Sequence, residues 1–364
     1  MAAERVFNFN AGPAVLPATV LAEVQRDLLA LPDAGMSVLE VSHRSATMDA
    51  ILERAVADIR QVTGLPEHFH VLFLQGGATQ QFAMVPLNLL PPAGSADYVL
   101  TGVWSRKAYE EAGQFGTVRV AGSTESEGFS RIPAAGDLDL ADSAAYLHLA
   151  SNNTICGTQW RALPDSGEVP LVVDASSDIF SRPIEFERVG LLYAGAQKNL
   201  GPAGVTLVIV RDDLVRRAPT RSGVPTMLRY ATHVGAGSRH NTPPVFAIYM
   251  VGLVVRWLLA TGGLAEMARR NERKARELYE AIDRTPFYRG TAAPDSRSSM
   301  NVTFRLPAPE LETRFVDEAR QAGLVGLRGH RSVGGVRASI YNACPEAAVD
   351  ALVAFMAEFE RTHG

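Results

Sequence analysis

Only two cysteines, Cys156 and Cys344, occur in 364 residues. Two thiols so far apart exclude a disulfide framework and a cysteine metal cluster, and they point to a reducing compartment, so a cytoplasmic location is expected. The eight histidines show no ligand spacing, and no bound metal is expected. A cationic stripe is also missing. The 35 basic and 39 acidic residues are scattered and leave a net charge of −4, which gives no footprint for nucleic acid. No apolar run is long enough to span a bilayer: the longest, residues 245–260, contains Arg256 and reads as a core or subunit-contact helix. The N-terminal stretch MAAERVFNFNAGPAVLP lacks the apolar centre of a secretory signal. No internal repeat or low-complexity segment is present. The one Gly-Gly turn near the first strand, GGATQQ, lacks the third glycine that a nicotinamide-binding GxGxxG needs.

What is present is the composition of an ordinary globular chain, 47% apolar and 20% charged, long enough for one large α/β domain and a smaller one. Residues 5–17 form an irregular arm rich in Asn, Gly and Pro. Val20, Leu21, Val24, Leu28 and Leu29 recur at helical spacing after it. SVLE then reads as a short strand, and Asp49 as the N-cap of a helix carrying Ile51, Leu52, Ala55, Ile59 and Val62 and ending at Gly64. Seven candidate strands follow: HVLFLQ, DYVLTG, TVRVAG, AYLHLA, PLVVDAS, LLYAGA and GVTLVIV. Their alternation with helices predicts a mostly parallel sheet covered on both faces. Helices are expected over residues 245–260 and 263–283. The composition then shifts to Pro, Ser, Arg and Gly, and MNVTFRL, a helix over 310–322, VGLRGHRSVGGVRASIYN and a closing helix over 345–360 suggest a small α+β domain. The expected division is an arm (1–17), a large domain (18–285) and a small C-terminal domain (286–364).

The chemistry centres on residues 191–210, LLYAGAQKNLGPAGVTLVIV. Lys198 stands between two strand-like runs that should be buried, at a corner marked by Gly201, Pro202 and Gly204. A lysine in a dry site can lose its proton and act as an amine toward a carbonyl. The cofactor that uses lysine in this way is pyridoxal 5′-phosphate. In a parallel sheet, ligands bind beyond the carboxyl ends of the strands, and three features fall there. GGATQQ opens a helix whose amides at Ala78 and Thr79 could cradle a phosphate, although Gly-Gly turns are common. Asp174 ends PLVVDAS, either as a helix cap or as a buried carboxylate needing a cationic partner. Trp104 is either a core indole or a ring for stacking. His43 and Arg44 read equally as a solvated loop or as part of a site, and the cluster Arg328, His330, Arg331 and Arg337, dense for a strand-rich segment, reads by itself sooner as a solvated edge than as part of a site.

The motifs NFNAGPAVLP, EVSHR, GGATQQF, ADYVLTGVWS, RPIEFERVGLLYAGAQKNLGPAG, HNTPP and GHRSVGGVRASIYNA resemble, end to end, the phosphoserine aminotransferases. These are class V, fold-type I enzymes dependent on pyridoxal phosphate. The resemblance implies transfer of the amino group of L-glutamate to 3-phosphohydroxypyruvate, giving O-phospho-L-serine and 2-oxoglutarate in serine biosynthesis. The phosphorylated four-carbon oxo acid of pyridoxine biosynthesis is a second implied substrate. It further implies that Lys198 holds the cofactor covalently and shuttles the proton, and that Asp174 pairs with the ring nitrogen. Trp104 would stack on the ring, with Thr154 and Gln197 hydrogen-bonded near it. Ala78, Thr79, Asn241 and Thr242 would hold the phosphate, the last two from the neighbouring subunit of a homodimer. His43, Arg44, His330 and Arg331 would take the distal anion of either substrate, and Arg337 the α-carboxylate. A cysteine desulfurase-like lyase is the alternative within the class. It would need a mobile nucleophilic cysteine, and neither Cys156 nor Cys344 sits in a flexible Gly/Ser loop. A non-catalytic scaffold of the same fold would have lost Lys198 or Asp174, and both are present.

Overall fold

The computed structural model describes residues 5–217 and 222–364. The first four residues of the expected arm, and residues 218–220 of the polar stretch after Val210, lie outside the described residues. All seven expected strands form one sheet: β1 (Phe69–Leu74), β2 (Ser95–Leu100), β3 (Thr117–Ser123), β4 (Leu147–Ala150), β5 (Leu171–Asp174), β6 (Val189–Gly195) and β7 (Thr206–Arg211). Their spatial order is β1-β7-β6-β5-β4-β2-β3. Every neighbouring pair is parallel except the two that β7 makes, with β6 and with β1. Helices cover both faces. On one face Val173, Leu192 and Ala194 pack with Leu52, Ile59, Val251 and Val255, and on the other Val172, Leu191 and Tyr193 pack with Phe82, Met84 and Ala108. Burial on both faces is why β5 and β6 read as continuous apolar runs rather than alternating ones.

This topology positions the site. Parallel strands deliver their carboxyl ends to a single edge of the sheet, so Gln75 after β1, Thr101 after β2, Ser151 after β4 and Asp174 at the end of β5 all arrive there. The chain between β6 and β7 is too short for a crossover helix, so β7 must return antiparallel. The turn that reverses it, carrying Lys198, therefore projects from the same edge.

Two local expectations fail for identifiable reasons. SVLE is not a strand but a turn of 3₁₀ helix, Val38–Glu40, closed by a reciprocal pair in which Ser37 Oγ accepts from the Leu39 amide and Glu40 accepts from the Ser37 amide. The S-x-x-E spacing favours that closure, and no neighbouring strand competes for the backbone. The following helix is Ala46–Thr63, capped by Ser45, whose Oγ accepts from the Met48 amide. Asp49 lies inside the first turn and pairs with Arg239. Gly64 closes the helix as expected. The first helix ends at Asp27, and Leu29 is 86% exposed.

A second core lies under the C-terminal segment. Strands Asn301–Arg305 and Val336–Ser339 pair antiparallel and, with Arg289–Gly290, form a three-stranded sheet. Against it pack the helices Pro309–Gln321 and Glu346–His363. Tyr288, Phe304, Phe315 and Phe359 meet there largely edge to face, the arrangement that ring quadrupoles favour. The helix Gly263–Asp283 belongs to both cores: Leu264 and Met267 enter the first, Leu278 and Ile282 the second. Between them Lys274 is fully buried, its ammonium donating to the carbonyls of Ile340, Tyr341 and Cys344 at 2.9, 2.7 and 3.1 Å. Three convergent carbonyls match three N–H donors; Lys274→Met should strip the Ile340 and Cys344 carbonyls of this donor, while Tyr341 O keeps the Cys344 amide at 2.9 Å. We expect a loss of about 3 kcal/mol or more in unfolding free energy, read as a lower urea midpoint at unchanged slope. An unchanged midpoint would show that the loop 340–344 does not depend on the cage.

The N-terminal arm ties the two cores together. Phe7–Asn8 runs parallel to Leu324–Val325, and Phe9 is buried in the second core. The arm then crosses to the main sheet, where the Ala14 amide donates to Gln197 O at 2.9 Å. Gly12 has φ +152°, and a Cβ there would come within 3.2 Å of Lys198 Cγ, so only glycine lets the arm lie against the lysine stem.

Candidate active site

The loop after β6 carries Gln197 and Lys198 onto the shared sheet edge. Lys198 Nζ donates to Thr154 Oγ1 at 2.9 Å and stands 5.5 Å from the centre of the Trp104 ring. Burial pushes its amine below the ordinary lysine value; Asp174 opposes that shift, and Arg337 adds to it. Asp174 is 7% exposed. Its Oδ1 accepts from the Ser176 amide at 2.9 Å, an Asx-type turn that aims the carboxylate. Burial raises its pKa, while Lys198 is the cation that acts against this. A carboxylate this deep costs free energy unless a cation or directed donors face it.

Trp104 follows β2, in the first turn of the helix Val103–Ala112. Its Nε1 is buried with no partner, and two ammonium groups lie near its ring, Lys198 Nζ at 5.5 Å and Lys107 Nζ at 5.2 Å from the ring centre. After β1, the helix Gly77–Leu89 begins with Gly76 and Gly77 at φ +85° and +67°, conformations that glycine adopts without strain. The first helical bond there is Gln80 N–H to Gly76 O. The amides of Ala78 and Thr79 therefore precede any intrahelical acceptor and present an anion-binding end.

From the second core, Arg337 reaches across. Its Nη1 donates to Thr154 O at 3.2 Å, while Nε is buried and unpaired. Burial lowers its pKa. His330, whose Nδ1 lies 2.7 Å from Ser332 Oγ, is held below its ordinary value by burial and by the charges of Arg337, Arg331 and Lys107. Arg328 turns away to Asp317.

The single chain thus gathers Lys198, Asp174, Trp104, Thr154, Gln197 and Arg337, with His330 and Arg331 at the rim. Ala78 and Thr79 stand on the same sheet edge, at the start of the helix after β1, whereas Asn241, Thr242, His43 and Arg44 are not brought to Lys198. The Asn241 side chain donates to Gln75 Oε1 at 3.4 Å, and Gln75 Nε2 donates to Thr242 O at 3.2 Å. His43 and Arg44 lie in the turn before the helix Ala46–Thr63, where neither side chain forms a hydrogen bond or ion pair among the described residues. Cys156 lines a cavity with Arg305 and Arg337, and burial pushes its thiol up; the Cys344 thiol is pushed up to about 11. Neither is poised as a thiolate nucleophile.

Sequence reasoning missed Lys107. One signal could have found it: only three of the 35 basic residues are lysines. Lys198 is one, Lys274 fills the carbonyl cage, and Lys107 is the third, on the Trp104 face. A chain that uses arginine for almost every other cation keeps lysine where a compact ammonium is wanted.

The donor set fits pyridoxal phosphate. It offers a low-pKa amine for an aldehyde, a buried carboxylate for a ring nitrogen, an indole beside the amine for a flat ring, and free helix-end amides for a phosphate. Comparison with known proteins agrees. Residues 6–352 match the family model for class-V aminotransferases. The chain is 55% identical to a phosphoserine aminotransferase of Syntrophobacter fumaroxidans over 364 residues, covering 100% of both chains. It superposes on the solved phosphoserine aminotransferase of Bacillus circulans subsp. alkalophilus with a TM-score of 0.97, at 51% identity and 100% coverage of both chains. On the pyridoxal phosphate-bound phosphoserine aminotransferase of Trichomonas vaginalis the TM-score is 0.93, at 39% identity, covering 97% of this chain and 100% of that one.

Proposed function

Because the chain belongs to the class-V aminotransferases, and within them to the phosphoserine aminotransferases, we propose how its own residues divide the work. The enzyme is a pyridoxal phosphate-dependent aminotransferase. It moves the amino group of L-glutamate to 3-phosphohydroxypyruvate, giving O-phospho-L-serine and 2-oxoglutarate, a step of serine biosynthesis. Bound pyridoxal phosphate supplies an aldehyde that condenses with amines and a ring that accepts the electron pair released at the substrate α-carbon.

Lys198 carries the reading. Its amine is partly desolvated and oriented by Thr154 Oγ1, so it is available both for covalent attachment and, once displaced by substrate, for moving the proton at the α-carbon. Asp174 holds the ring nitrogen protonated. Trp104 covers the ring, Thr154 and Gln197 orient groups beside it, and the amides of Ala78 and Thr79 receive the phosphate. Arg337 binds the α-carboxylate common to both substrates.

Asn241 and Thr242 complete the phosphate site of a second copy of the chain in a homodimer. Arg239 pairs with Asp49, which ties residues 239–242 to the turn holding His43 and Arg44. The copy that lends Asn241 and Thr242 therefore lends His43 and Arg44 as well. These join His330, Arg331 and Lys107 as the cationic wall for the distal anion, the γ-carboxylate of glutamate or the phosphate of its partner substrate. The division into arm, large domain and small domain at residues 17/18 and 285/286, the cytoplasmic location and the use of the phosphorylated four-carbon oxo acid belong to the same proposal. Among the described residues, no single helix is long and apolar enough to cross a membrane.

The direct test is formation of O-phospho-L-serine from glutamate and 3-phosphohydroxypyruvate by the cofactor-loaded protein, with a visible absorption band that shifts on adding glutamate. No product and no shift would end the reading. The wall is tested by kcat/KM for glutamate, phosphoserine and alanine. Arg44→Ala, Arg331→Ala and Lys107→Met should each cost the two anionic substrates about 1.5–3 kcal/mol and leave alanine nearly unchanged. Arg337→Ala should penalise all three. An Arg331 variant that loses alanine as severely as phosphoserine would overturn the division.

A further inference from the structure

One buried titratable group near the site has no role so far. His148, on β4, is 2% exposed. Its Nε2 lies 2.8 Å from the Tyr193 hydroxyl, and its Nδ1 is buried with no partner. The imidazole stacks on Tyr98 with ring centres 4.9 Å apart and an interplanar angle of 26°. The Tyr98 hydroxyl in turn meets that of Tyr146 at 2.7 Å. Tyr193, fully buried on β6, is the register partner of Asp174 on β5. Directly paired residues on adjacent strands point to the same face of a sheet, so the phenol and the carboxylate stand side by side.

The protons can be assigned from this arrangement. With Nδ1 lacking any acceptor, a hydrogen there would be a buried unsatisfied donor, so the neutral ring carries its hydrogen on Nε2. That hydrogen then points at the Tyr193 oxygen. The Tyr193 hydroxyl, accepting from His148, must direct its own proton elsewhere, and the Asp174 carboxylate is the acceptor beside it.

We propose that His148 and Tyr193 are positioning residues that act through Asp174: His148 donates to Tyr193, and Tyr193 donates to the carboxylate, fixing it for the ring nitrogen of the cofactor. The inference rests on the reading of Asp174 given above. The electrostatics agree. Burial keeps His148 neutral, at a pKa of about 3, and the Tyr193 phenol favours the charged form of Asp174 against the burial that raises it. The other groups facing this line are Lys198 and Asp178 on the Asp174 side and Tyr146 and Tyr230 on the Tyr193 side. Among these only Lys198 is cationic. The carboxylate therefore depends on directed donors as much as on charge.

The test uses the full chain with Tyr193→Phe, His148→Gln, His148→Phe and Asp174→Asn. It reads the dissociation constant for pyridoxal phosphate by protein fluorescence, the pH dependence of that affinity, and kcat and KM. Tyr193→Phe should weaken cofactor affinity and lower kcat about tenfold, the scale of one hydrogen bond to a charged group, with KM for glutamate within about twofold. Losing the donor raises the Asp174 pKa, so the acid limb of the affinity profile should move to higher pH. His148→Gln, which keeps a donor, should stay close to the unaltered enzyme, whereas His148→Phe should shift the limb in the same direction as Tyr193→Phe. In an Asp174→Asn background, Tyr193→Phe should change neither quantity by more than about twofold. Equal losses in both backgrounds, or an unmoved acid limb in Tyr193→Phe and His148→Phe, would overturn the proposal. If Asp174→Asn alone left affinity and kcat unchanged, the Asp174 reading itself would fall, a different outcome from additivity.

Discussion

Lys198→Ala should abolish turnover, lowering kcat by about four orders of magnitude or more, because one side chain is asked both to hold the cofactor and to move the proton. The structure supports that double demand. The amine is partly desolvated, it is held by Thr154 Oγ1 at 2.9 Å, and its stem runs against the Gly12 backbone, which limits its sweep. Reduction of the loaded protein with borohydride, followed by peptide mapping, should place the label on Lys198; a label on Lys107 or Lys274 would refute the assignment. A second readout needs no turnover. The folded-state pKa of Lys198 lies below its unfolded value, so the unfolded chain binds the extra proton. The resulting penalty is fully present below the folded pKa and fades as pH rises toward the ordinary lysine value. The cofactor-free protein should therefore gain stability across that window, and Lys198→Ala should lose that part of the gain.

Asp174→Asn should lower kcat by about 10²–10³, the size of a removed electrostatic contact to a group that changes charge during reaction, while the cofactor still attaches through Lys198. An amide fills the same space and can keep the Ser176 contact, but it offers no charge to a protonated ring nitrogen. Steady-state kcat, together with the absorption spectrum of the loaded variant, checks this. Near-normal turnover would contradict the role. The effect should exceed that of any single arginine in the proposed distal wall, because that wall would share its anion among several cations whereas Asp174 alone would face the ring nitrogen.

The local signals that proved legible in the chain were those of burial and of turn chemistry. β5 and β6 announce themselves because a strand covered on both faces has no polar positions to spare. The corner at Lys198 is marked by glycine and proline, since an antiparallel return needs an abrupt reversal. Signals failed where short pieces of chain compete on nearly equal terms. SVLE has strand composition but also a capping-box spacing, and without a neighbouring strand the box prevailed. Ser45 took the cap that Asp49 could have filled, since both residue types accept from first-turn amides and only the position of the helix start separates them.

The amino-acid sequence by itself determined the order of the seven sheet strands and marked Lys198 as a candidate amine, because these depend on periodicity and on residue type, while at Asp174 it left a helix cap and a buried carboxylate equally open. Only the tertiary structure decided which polar groups share a site. Arg337 reaches Thr154 from 183 residues away, and His148 meets Tyr193 across 45. Such partnerships depend on strand order and register, which no local pattern encodes. Tertiary packing also set the electrostatics: the same lysine and aspartate would titrate ordinarily in water, and it is their burial at one sheet edge that drives their pKa values toward each other.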